Sequence, residues 1–184
     1  HKGEIPHDFY LAGDDLGDDA RLGGLLAFHF ACYGAGTPRL DDFAHGPFAE
    51  PTAIAPEAFV AHLPQRLLGH PRGGALAVVG HVDRAWACSF RWGEQRQLAT
   101  FEGMLQRLLD GHPIGSALEA FNGRYAELAS DLTDLLDEYE HAPEEQVPHL
   151  EIANLWTVQC DARAYAILGD PAVRLVAGDG PGVA

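Results

Sequence analysis

Two kinds of apolar pattern alternate along the chain: unbroken runs, and stretches in which apolar residues recur every three or four positions. One run fills residues 24–31 and a second fills residues 75–82, behind the Gly73-Gly74 pair. Runs of this length between glycines predict strands buried on both faces of a parallel sheet. Between them, Phe59, Val60, Leu63, Leu67 and Leu68 keep helical spacing and predict a helix over 57–68 that stops near Gly69. Strand, long loop, helix and strand make one βαβ crossover, whose right-handed form sets the strands parallel with both C-terminal ends on one edge. Sites in open α/β sheets lie along that edge. Cys32, just after the first strand, and residues 81–86, at the end of the second, are therefore expected to face the same crevice.

Further along, Phe101, Met104, Leu105, Leu108 and Leu109 lie on one stripe of a helix over 98–109. A longer amphipathic helix is predicted over 115–140, where Leu118, Phe121, Tyr125, Leu128, Leu132 and Leu135 keep steps of three and four. Its other face carries Glu127, Asp131, Asp134 and Glu138, a charge run read most simply as a solvated face. Prolines within 143–148 break the pattern, which resumes as a helix over 150–162. Residues 165–168 and 173–176 flank a Gly169-Asp170-Pro171 turn. The turn formers of residues 1–20 predict a loop holding a short strand over 8–12. Residues 33–56 read as a long connection, more often functional than idle in a compact domain, and 177–184 as a flexible tail. With no internal repeat or dividing linker, residues 1–176 read as part of one domain.

Composition narrows the class. Hydrophobic residues make up 47% and charged residues 21% of the 184, a balance that fits a globular chain with a full core. The net charge of -15 repels phosphate backbones and anionic lipid, which argues against a nucleic-acid or membrane-surface partner. No apolar run reaches the ~18 residues that cross a bilayer. Cys32, Cys88 and Cys160 show no short spacing, so neither a disulfide framework nor a zinc site is suggested, and a reducing, cytoplasmic setting is expected.

The clearest chemistry is at Cys32, which enters the small-residue turn Tyr33-Gly34-Ala35-Gly36. Free cysteine is commonly a small buried hydrophobe. Here, however, the Gly34 and Gly36 amides are candidate oxyanion donors beside a thiol nucleophile. A dinucleotide-binding loop would need a glycine at position 39, where the chain has Arg39, and a helix where Pro38 stands. His81 and Asp83 offer either pocket-lining groups or two metal ligands, although no second ligand pair joins them. Trp86 and Trp92 are large enough to wall a pocket or to pack in the core. Asp14-Asp15 and Asp18-Asp19 read as turn residues, with selection of a basic substrate side chain as the functional alternative.

A resemblance extends this reading. The string Phe28-His29-Phe30-Ala31-Cys32-Tyr33-Gly34-Ala35-Gly36, the glycine-led run from Gly73 to Gly80 and the segment from Tyr165 through Gly169-Asp170-Pro171 to Leu175 resemble the caspase-like cysteine peptidases, in their gingipain-like and CHAT-domain branches. The resemblance covers most of residues 8–176. It implies a three-layer α/β/α sandwich with a mainly parallel sheet, of which this chain is the C-terminal part, and peptide hydrolysis by a Cys-His dyad without a cofactor or metal. Cys32 is then the nucleophile, Gly34 an oxyanion donor, and His81, Asp83 and Trp86 the substrate pocket. The dyad histidine is expected upstream of the cysteine strand, on a segment before residue 1, with His1 as the candidate inside the chain. Phe30 stands where arginine-selective members carry aspartate, and Arg84 is the candidate for reading an acidic side chain. Expected partners are a peptide or protein substrate and other domains of a longer parent. Two alternatives stay open: an inactive caspase-like binding or signalling module, and a metal-dependent hydrolase using His81 and Asp83.

Overall fold

The computed structural model describes residues 5–41, 51–92 and 95–176. His1 and the expected tail over 177–184 lie outside the described residues, as does the Trp92 side chain. The first apolar run forms β1 (Leu26–His29), followed by the short strands β2 (Gly36–Thr37) and β3 (Phe59–Val60), helix α1 (His62–Leu68) and β4 (Ala77–His81). β1 and β4 pair in parallel, Leu26 opposite Ala77 through His29 opposite Gly80, as the crossover pattern predicts. All five residues of β4 are buried, while those of β1 are half-buried.

Helix α1 starts later than its apolar spacing predicts because Phe59 and Val60 are drawn into pairing with Thr37 and Gly36. The Ala61 N–H then bonds the Ala35 carbonyl at 2.9 Å, fastening the start of α1 to the segment after Cys32. No strand forms over 8–12. That segment instead passes through 3-10 turns at His7–Phe9 and Gly13–Asp15, and the Asp15 carboxylate takes the Ala12 N–H at 2.6 Å. An aspartate that captures a backbone amide three residues back favours a turn over extended structure.

Beyond β4 come a short antiparallel hairpin, β5 (Arg91–Trp92) and β6 (Gln95–Arg96), then α2 (Ala99–Leu109), α3 (Ile114–Ala117), α4 (Glu119–Tyr139), α5 (His149–Arg163) and β7 (Tyr165–Gly169). The single helix expected over 115–140 is divided at Leu118. The Ile114 and Gly115 amides bond the Val173 and Pro171 carbonyls, both at 2.9 Å, so the first turn is held by the chain after β7. β7 runs antiparallel to β4, with Tyr165 opposite His81 and Gly169 opposite Ala77. The three-stranded sheet, in the order β1-β4-β7, is therefore mixed rather than mainly parallel. The reason is local: α5 ends beside the C-terminal end of β4, where Val82 N–H bonds the Ala164 carbonyl at 2.9 Å. A strand that begins there has to run back along β4.

Apolar clusters cover both faces of β4, since successive strand side chains point to opposite sides. Ala77 and Val79 join Met104, Leu108, Ile114, Leu118 and Phe121 on the α2–α4 side, and Val78 joins Leu67 and Ala75 on the α1 side. On the first side an aromatic group ties sheet to helices: Phe121 lies 4.6 Å from Tyr165 and 5.1 Å from Phe101, both edge to face. Such pairs add about 0.5–1.5 kcal/mol beyond their buried area. No helix among the described residues is long and apolar enough to cross a membrane.

Phe121 is 3% exposed and touches the sheet, α2 and β7 together. Phe121→Ala is expected to lower the unfolding free energy by about 3–5 kcal/mol, read from urea denaturation curves.

Candidate functional site

The chain leaves β1 at His29 and reverses in a turn closed by the Gly34 N–H to Ala31 carbonyl bond, 3.0 Å. Cys32 and Tyr33 occupy the middle of this turn, and Tyr33 has φ +57°, a left-handed conformation unusual for a non-glycine residue. Strain of this kind costs of order 1–3 kcal/mol and gathers at functional sites. Two main-chain bonds hold the turn against the end of β4: Tyr33 N–H to the Asp83 carbonyl and Ala35 N–H to the His81 carbonyl, both 2.8 Å. Gly80 makes this close approach possible, since a Cβ there would stand 3.0 Å from the Ala35 nitrogen and 3.1 Å from the Gly34 carbonyl carbon. His29 braces the same turn by donating from Nδ1 to the Gly34 carbonyl at 3.2 Å.

Cys32 is exposed, and its thiol points to the Ala85 carbonyl at 3.8 Å. The thiol thus meets the segment that follows β4. The amides are less free than expected. Those of Tyr33, Gly34 and Ala35 all donate within the protein, so Gly34 does not present a free oxyanion donor, whereas the Cys32 N–H makes no hydrogen bond among the described residues. Gly36 also has another purpose, because a Cβ there would lie 2.6 Å from the Phe59 carbonyl oxygen, where β3 crosses.

Beside the turn, Asp83 is buried and its Oδ1 accepts the Arg84 N–H at 2.6 Å. The Arg84 guanidinium grips Asp41 in a two-pronged pair, Nη1 to Oδ1 at 2.5 Å and Nη2 to Oδ2 at 2.7 Å. This bond holds the guanidinium well above its ordinary pKa. Arg84 is thus committed to Asp41 rather than presented to an acidic substrate. Burial raises the Tyr33 phenol, with the Arg84 charge partly opposing it. Ala35, Thr37, Pro38, Phe59, Val60 and Val82 line an apolar cleft of about 370 Å³ next to the turn. A second cavity of about 270 Å³ adjoins it through Pro38 and Val82 and reaches Asp83 and Arg163.

His81 does not line this cleft: it is 0% exposed. It shares strand parity with Ala77 and Val79, so its ring turns into the core, 4.1 Å from the Tyr165 ring. Its Nδ1–H donates to the Arg84 carbonyl at 3.2 Å, which leaves Nε2 as an acceptor 3.8 Å from Asp161 Oδ1 and without a hydrogen bond. Burial lowers the His81 pKa, and the nearby Asp161 charge opposes this. Asp161 is fixed in turn by the Trp86 N–H at 2.8 Å and the Ser89 hydroxyl at 2.5 Å. Because Ser89 gives its proton to Asp161, Tyr165 donates to Ser89 across 2.8 Å. Cys88 borders this group, and burial together with Asp161 pushes its thiol up to about 12.

The expected site residues therefore separate into two layers. Cys32, Asp83 and the half-exposed Trp86 surround the accessible turn, whereas His81 belongs to a closed network with Asp161, Ser89 and Tyr165 beneath it. Sequence reasoning missed that network. Its one visible signal was Asp161, a charge on α5 flanked by Cys160 and Ala162. No histidine is hydrogen-bonded to Cys32 among the described residues. His81 and Asp83 keep separate partners, and no group of three or more His, Cys, Asp or Glu side chains close enough to hold a metal occurs among the described residues.

The lowered His81 pKa has a definite sign in stability. The unfolded chain binds the proton first, so the His81 contribution is complete above its ordinary value of 6.5 and is lost as pH falls through the depressed native value. Urea midpoints are expected to drop between pH 7.5 and 5, and to drop less in His81→Asn; equal drops would assign the acid sensitivity to other groups. Comparison with protein-family models, with curated proteins and with solved structures returns no match.

Proposed function

We propose that this chain is the cysteine-bearing part of a caspase-like peptidase domain, of gingipain and CHAT type, in which Cys32 attacks a peptide carbonyl. The observation that carries the reading is the exposed Cys32 thiol in a left-handed turn docked on the end of β4. The parallel β1–β4 pair and the apolar cleft beside that turn support it. In this reading the Cys32 sulfur adds to the substrate carbonyl, the Cys32 N–H steadies the oxyanion, and the thioester forms as the amine leaves with a proton. That proton comes from a histidine outside the described residues, either His1 or one on a preceding segment. The fuller three-layer sandwich follows from the same reading: β1 pairs with no strand but β4 among the described residues, and its outer edge is where further strands of the domain would add. The substrate is a peptide or protein, the setting is cytoplasmic, and neither a cofactor nor a metal takes part.

A second reading is a caspase-like module that binds without cleaving. The internal bonds of the Gly34 and Ala35 amides, and the absence of a described histidine bonded to Cys32, favour it. The metal-dependent alternative draws no such support, because His81 is fully buried and Asp83 Oδ1 accepts the Arg84 N–H.

The test joins the chain to the segment that precedes it in its parent protein and compares wild type with Cys32→Ala. Two measurements are made: cleavage of a peptide library, and alkylation by iodoacetamide located by mass spectrometry. A fall in cleavage of about 1,000-fold or more in Cys32→Ala is the expected result. Equal cleavage by both would remove the thiol from the mechanism. An alkylated Cys32 with no cleavage in either protein would select the binding module.

A further inference from the structure

A wide open groove lies far along the chain from Cys32, between the C-terminal half of α4 and the N-terminal half of α5. Its volume is about 820 Å³, and Leu135, Val147, Leu150 and Leu155 line it. Leu150 is 76% exposed, in the first turn of α5. The rim is acidic on both sides. Asp131 on α4 and Glu151 on α5 line the groove directly. Glu127, Asp134 and Glu138 extend the α4 side at steps of four, three and four, which places them on one stripe beside Leu128 and Leu135. From Tyr125 to Ala162 the chain contains no lysine or arginine; Arg124 stands beside Glu127 and Asp131, and His149 pairs with Glu144 at 2.9 Å, so carboxylates still outnumber cations along the rim.

We infer that this groove receives a basic amphipathic helix of a partner protein, apolar side chains seated between α4 and α5 and lysine or arginine meeting the acidic rim. The walls decide the shape of the occupant. Both are helices with their backbone groups bonded internally, so there is no strand edge to extend, and an apolar trough between two helices fits a third helix by side-chain packing. Charge decides its chemistry. Nucleic acid and anionic membrane are repelled, and an isologous contact with a second copy would bring the same acidic hairpin face to face with itself. A basic partner gains both the burial of Leu150 and attraction at the rim, and the attraction raises its association rate.

The probe is a fluorescein-labelled helical peptide of leucine and lysine, about 18 residues long with its leucines on one face. Its controls are a scrambled peptide of the same composition and a leucine-glutamate peptide of the same pattern. Binding to the whole chain is read by fluorescence anisotropy, and hydrogen exchange over residues 147–155 reports where the peptide sits. The expected result is micromolar binding of the patterned basic peptide, slower exchange over those residues, and about 10-fold weaker binding to Leu150→Glu. A double variant, Asp131→Lys with Glu151→Lys, alters only exposed positions, should melt like wild type by circular dichroism, and should bind more weakly with less dependence on salt. Equal binding of the scrambled peptide, or unchanged affinity in the double variant, would overturn the inference. So would a dimer of the chain itself that Leu150→Glu dissolves, which would assign the groove to a second copy.

Discussion

The fold hangs on β4, which among the described strands is the one enclosed on all sides. Its main chain is bonded to β1 along one edge and β7 along the other, and apolar clusters close over both of its faces. Fully burying a single valine side chain is worth about 1.5–3 kcal/mol, and Val78 and Val79 lie back to back in this strand, each supporting a separate helical layer. The order of the neighbours follows from this. α1 must return the chain to the side of β1, and α5 must end where β4 ends, which turns β7 around and makes the sheet mixed.

The same strand imposes the geometry of the thiol. Past Gly80 the β1 side of β4 is bonded by the turn 31–35 rather than by a continuing strand, so Cys32 is positioned by main-chain bonds and only weakly by its own side chain. Such a turn tolerates a left-handed Tyr33 because its amide bond to the Asp83 carbonyl over-determines the conformation. The three cysteines then differ by environment. Cys160 is 2% exposed and out of reach of a substrate, and the Cys88 thiol is raised by burial and by Asp161, which keeps it protonated near neutral pH. Cys32 is the exposed one of the three, three residues before Ala35, where the turn meets the apolar cleft.

Much of this was legible from the apolar pattern, and the misses share a cause. β1, β4 and the parallel pairing follow from two apolar runs and an intervening helix, and the position of Cys32 at the strand end follows with them. The direction of β7 does not, since it depends on where α5 stops in space. His81 was read as a pocket residue from its place at a strand end, yet its parity with Ala77 and Val79 already pointed it into the core. Ser89 and Asp161 are 72 positions apart, and Asp41 and Arg84 43 apart, so no local spacing could join them. Gly34 and Gly36 drew attention for the right reason, close approach of backbone, but the backbone that approaches Gly36 belongs to β3 rather than to a substrate.

α5 links the two features that set this chain apart. At its C-terminal end Asp161 is locked beneath the thiol-bearing turn by the Trp86 N–H and the Ser89 hydroxyl, with Val158, Cys160 and Ala162 buried around it. Leu150, eleven residues earlier, is about 16 Å away along the helix axis and lines the acidic groove. The buried residues of α5 lie in its C-terminal half, and its first turn presents Leu150 to solvent. An apolar surface of this kind, framed by more carboxylates than cations, would weaken solubility unless something of opposite charge comes to cover it.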